Sequence, residues 1–80
     1  MNSNIQCRLR ELMAEQSRRR GRRVTYAEIV SATGVAESTL VRLANDRASR
    51  VSLSVIARLC SFFGCEPGDL FVLATESNQE

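Results

Sequence analysis

Arg18, Arg19, Arg20, Arg22 and Arg23 place five permanently charged guanidinium groups within six positions. A planar guanidinium presents a fork of donors that suits phosphate and carboxylate oxygens, so this cluster is chemistry for binding an anion. Proton transfer has much less to work with. There is no histidine, which removes both the usual general base at neutral pH and the commonest zinc ligand. Cys7, Cys60 and Cys65 form no C-x-x-C pair; an odd number of cysteines reads as reduced thiols, with Cys60 a small core residue. No catalytic residue, metal site or cofactor is expected.

All eleven basic residues are arginine, and they are unevenly spread. Residues 1–25 carry seven of them against Glu11 and Glu15, residues 26–65 are close to neutral, and residues 66–80 carry four acids and no base. A basic front and an acidic end suggest a polyanionic partner on one side of the molecule. A genome that favours arginine codons would account equally well for the missing lysine.

Eighty residues with 44% hydrophobic and 25% charged content suffice for one small globular domain. No apolar run approaches the roughly 20 residues of a membrane span, and the N-terminus lacks the apolar centre of a signal peptide. The expectation is a cytoplasmic protein with no membrane partner. Its domain is expected to cover residues 1–75, with a flexible acidic tail over 76–80.

The elements that must hold the charges read as helices, with no sustained two-residue alternation. Ser3-x-x-Gln6 has the form of a capping box opening a first helix, whose one side is Ile5, Leu9, Leu12, Met13 and Gln16. Thr25-x-x-Glu28 opens a second, which Gly34 ends. A third runs from Glu37 to Ala44 and ends at Asn45-Asp46. Ser52 caps a fourth, with Leu53, Ile56, Leu59, Cys60 and Phe63 as its apolar stripe and Gly64 as its stop. Pro67 starts a short fifth, with Leu70, Phe71 and Leu73 as its apolar members.

The informative stretch is Tyr26 to Asn45. Ile29, Val35, Leu40 and Leu43 are spaced to lock the second and third helices at a steep angle across the Thr33-Gly34-Val35 turn. The outer side of the third helix, Glu37, Ser38, Val41 and Arg42, is left free, and a helix held proud in this way is what the major groove accepts.

At these residues the chain resembles the lambda-repressor and Cro-like (XRE-type) helix-turn-helix family. The likeness extends over about residues 5–73, through Leu40-Val41-Arg42-Leu43-Ala44-Asn45, Arg50-Val51-Ser52-Leu53 and the run from Leu59 to Leu70 that contains Gly64, Pro67 and Asp69. It implies an all-α, compact five-helix DNA-binding domain with the helix-turn-helix at helices 2 and 3. It further implies a bacterial or phage-encoded transcriptional regulator of the repressor or Cro type, bound to double-stranded DNA as a homodimer.

Carried over by position, Glu37, Ser38 and Arg42 fall where base-reading side chains lie: Arg42 for guanine O6 and N7, Glu37 for cytosine N4. Tyr26, Thr39, Asn45, Arg47 and Arg50 fall where the family contacts the backbone. Arg19, Arg22 and Arg23, with the rest of their cluster, would reach flanking phosphates. Glu37 also fits as an acid stabilising a helix start, and Arg42 as a solvated surface residue.

The chain departs from the family pattern at several positions. Val30 stands where a small residue is usual, and Thr33 where an apolar one is. Ala36 replaces the frequent Ser or Thr cap, and Asp46 replaces a frequent glycine. The connection at 17–24 is longer than usual. The apolar stretch Leu70-Phe71-Val72-Leu73 is the expected dimer surface, or the seat of a protein partner if the domain serves as an antitoxin-type autoregulator or an interaction adaptor.

Overall fold

The computed structural model describes residues 3–75. Five helices carry the fold: α1 (Leu9–Arg20), α2 (Tyr26–Thr33), α3 (Glu37–Ala44), α4 (Leu53–Phe63) and α5 (Pro67–Leu70). Two short strands, β1 (Ser3–Cys7) and β2 (Phe71–Thr75), join the ends of the described chain as an antiparallel ribbon.

The ribbon corrects the sequence reading at both ends. Ser3 opens no helix; α1 begins at Leu9 after Arg8, which makes no side-chain cap. Phe71 and Leu73 are not helical either, since α5 stops at Leu70. The register pairs Ile5 with Leu73 and Cys7 with Phe71, so these four side chains share one face. Arg8 N–H donates to the Leu70 carbonyl at 2.7 Å, which fastens the start of α1 to the end of α5. The acidic tail expected at 76–80 lies outside the described residues.

The helix boundaries follow local chemistry. Gly21, Gly34 and Gly64 take left-handed conformations just past α1, α2 and α4. Thr25 Oγ1 accepts Glu28 N–H at 3.2 Å, and Ser52 Oγ accepts Val55 N–H at 3.0 Å, so both expected caps form. At α5 the reach is backwards: Asp69 Oδ2 accepts Glu66 N–H at 3.0 Å.

Leu9, Ile29, Leu40, Leu59 and Leu70 are fully buried, one from each helix, and Leu12, Val24, Val35, Leu43, Ala44, Cys60 and Phe63 complete the core around them. Burying one such leucine or isoleucine contributes roughly 1.5–3 kcal/mol. Gln16 is buried with its Nε2 donating to the Phe62 carbonyl at 3.4 Å. Leu53, read as part of the α4 stripe, is instead 82% exposed at the helix start.

Candidate nucleic-acid interface

Thr33 explains how the α2–α3 turn closes without the apolar residue expected there. Its hydroxyl donates to the Ile29 carbonyl at 2.7 Å and accepts Val35 N–H at 3.1 Å, so one side chain fastens both sides of Gly34. Gly34 at φ +78° lets the chain reverse, and Arg58 Nη1 reaches the Thr33 carbonyl from α4. Val35 is then buried beside Ile29, and α3 is seated on Leu40, Leu43 and Ala44.

That seating turns the other side of α3 outwards. Glu37, Ser38 and Arg42 are exposed, whereas Thr39 and Val41 are half-buried. Ala36 offers no side-chain cap at the start of the helix. Arg47 and Arg50 are exposed beyond its end, on the connection to α4. The structure thus brings the three expected base-reading side chains onto one free surface.

On the other flank, Tyr26 at the start of α2 is half-buried and shares an open groove with Thr25, Arg23, Ser17 and Arg10. Ser17 organises this junction: its hydroxyl donates to the Met13 carbonyl at 2.8 Å and accepts Val24 N–H at 2.9 Å. Arg10 was not singled out from the sequence, although it shares the α1 side that carries Met13 and Ser17. Its guanidinium also donates to Asn45 Oδ1, which joins α1 to the end of α3.

The arginine cluster does not act as one unit. Arg20 Nη1 meets Glu28 Oε2 at 2.6 Å, and Arg22 grips the same carboxylate through two bonds, at 2.9 and 3.0 Å. The Arg20 guanidinium also lies 5.4 Å from the Phe62 ring centre. Hydrogen bonding to Glu28 raises the Arg22 pKa, and hydrogen bonding to Arg22, with the charges of both arginines, lowers that of Glu28. Arg19 makes a looser pair with Glu15 at 3.4 Å. Arg18 and Arg23 are exposed and form no ion pair among the described residues.

A family model described as the Cro/C1-type helix-turn-helix DNA-binding domain matches residues 8–76. The chain belongs to that family. No curated protein is similar enough in sequence to match it. As a Cro/C1-type domain it is a DNA-binding regulator, and the two short strands are a minor addition to its five helices. Among the described residues no helix is long and apolar enough to cross a membrane, and no three side chains gather as a metal site.

Proposed function

We propose that this Cro/C1-type domain is a sequence-specific transcriptional regulator of the repressor or Cro type, cytoplasmic and of bacterial or phage origin. It acts by occupying an operator with α3 in the major groove. The observation that carries this reading is the two-sidedness of α3: Leu40, Leu43 and Ala44 are buried while Glu37, Ser38 and Arg42 stand free.

In this reading Arg42 donates to guanine, Glu37 accepts from cytosine, and Ser38 bonds whichever base edge faces it. Tyr26, Thr39, Arg47 and Arg50 serve the backbone. Arg23 joins Tyr26, with which it shares a groove; Arg19 contributes from its loose pair with Glu15. Asn45 and Arg22 have internal partners, so phosphate contact by either competes with Arg10 or Glu28.

A single helix reads only a few base pairs, and a homodimer on a two-fold site multiplies the discrimination. Among the described residues the large apolar side chains exposed for that contact are Ile5 and Leu73, paired across the ribbon, and Leu53. Leu70 is fully buried and unavailable for it. Selecting bound sequences from a random duplex pool tests the proposal. The expected result is a palindromic consensus with half-sites one helical turn apart; absence of enrichment would favour a protein-interaction adaptor.

A further inference from the structure

Two neighbouring residues at the end of α3 hold the N-terminal part of the chain. Asn45 Oδ1 accepts from Arg10, and Asp46 Oδ1 accepts the backbone N–H of Cys7 at 3.0 Å, across 39 positions of sequence. Cys7 is the last residue of β1, and its N–H donates out of the ribbon to the turn that follows α3. Asp46 sits at φ +57°, the one non-glycine residue in left-handed conformation among those described. The backbone there suits glycine, and Asp is among the few other residues that tolerate it.

An aspartate at this place has two disadvantages for a DNA-binding turn: an unfavourable backbone conformation, and a negative charge between Arg42 and Arg47. Among the described residues its carboxylate has one hydrogen-bond partner, the Cys7 N–H. Immediately after it the chain continues in a fixed geometry, with Arg47 N–H donating to the Arg42 carbonyl at 2.8 Å. Beyond it, Ala48, Val51 and Ile56 line an apolar groove with Ile5, Cys7 and Phe71 of the ribbon.

We propose that Asp46 is a positioning residue for DNA binding: by holding Cys7, it fixes the α3–α4 turn against the ribbon and sets where Arg47 and Arg50 stand relative to α3. The ribbon is thereby part of the recognition apparatus, although none of its side chains need touch DNA. This inference rests on the DNA-binding reading above.

Three chains separate geometry from charge. Asp46→Asn keeps an acceptor oxygen and tolerance of positive φ while removing the charge. Asp46→Gly keeps the backbone conformation and removes the acceptor. Affinity for the selected operator is read by fluorescence anisotropy, alongside non-specific duplex affinity and hydrogen exchange at the Cys7 amide.

The parent and Asp46→Asn are expected to protect the Cys7 amide, with Asp46→Asn binding the operator at least as tightly as the parent. Asp46→Gly is expected to lose that protection and to bind the operator roughly tenfold more weakly, the scale of one charge-assisted hydrogen bond. Its non-specific affinity should not fall, since the variant also loses a negative charge from the turn. Equal operator affinity for Asp46→Gly and the parent would overturn the proposal, as would a protected Cys7 amide in Asp46→Gly. An equal loss in Asp46→Asn would overturn it too, by making charge the determinant. Were the parent to select no operator, the functional reading would fail and this role with it, while Cys7 exchange would still report whether the contact exists.

Discussion

Ala36 leaves the first N–H groups of α3 without a side-chain acceptor, whereas Thr25 and Ser52 supply one to α2 and α4. Replacing a missing cap by a hydroxyl typically stabilises by about 1 kcal/mol. Because Ala36 already has the extended backbone of a capping residue, at φ −64° and ψ 144°, the serine need not distort the turn. Ala36→Ser should therefore raise the melting temperature by about 4–8 °C, the shift that 1 kcal/mol produces in a domain this small. Thermal unfolding followed by circular dichroism checks it; an unchanged or lower midpoint counts against the geometry at Ala36. Caps are legible in sequence because acceptor and N–H lie three residues apart. Asp46 was not legible in the same way. From sequence it stands only as a departure from a frequent glycine, since the N–H it serves belongs to Cys7, 39 positions away.

The junction of α1 and α2 shows how an element can keep its boundary while its side chains find other partners. Thr25 caps α2 as its pattern with Glu28 implies, but the Glu28 carboxylate turns to Arg20 and Arg22. That network ties the last turn of α1 and the following loop to the first turn of α2. Hydrogen bonding to Arg22 holds the Glu28 pKa below its ordinary value of 4.5. A lowered folded-state pKa means that the stabilisation is fully present above the unfolded value and is lost as pH falls through the folded one. Stability of the parent should thus drop more steeply below pH 4.5 than that of Glu28→Gln, which lacks the titrating group. Urea unfolding across pH 3–6 measures the difference; parallel curves would sink the assignment. The α2–α3 unit was readable because its locking residues and glycine lie within a 20-residue stretch. The ribbon was not. Ser3-x-x-Gln6 satisfies a capping pattern locally, while the register that makes it a strand joins Ser3 to Thr75. Phe71–Leu73 is a short apolar run, which periodicity alone cannot divide between helix and strand.

At the scale of the whole molecule the surface separates into an apolar patch and a basic front, and each carries a prediction. Ile5 and Leu73, at 60% and 64% exposure, face the same side of the ribbon, so if the proposed homodimer uses this face, Leu73→Glu should abolish it while leaving monomer stability little changed. Sedimentation velocity reads the first effect and thermal unfolding the second; a dimer that persists in Leu73→Glu would move the interface elsewhere, Leu53 being the next exposed apolar residue. The basic front requires a finer test than its charge count. Glu28 neutralises much of Arg20 and Arg22, which leaves Arg18 and Arg23 as the members of the cluster free to displace counterions from DNA. Each phosphate neutralised on duplex DNA changes the slope of log affinity against log salt by about 0.9. The double variant Arg18→Gln/Arg23→Gln should therefore flatten the slope by up to about 1.8, for operator and unrelated duplex alike, with little effect on unfolding. Arg20→Gln/Arg22→Gln should do the reverse, lowering stability by detaching α1 from Glu28 and leaving the slope nearly intact. Titrations between 50 and 200 mM salt distinguish the pairs. If the second pair flattens the slope as much as the first, the arginines leave Glu28 on binding and the whole cluster acts as one clamp.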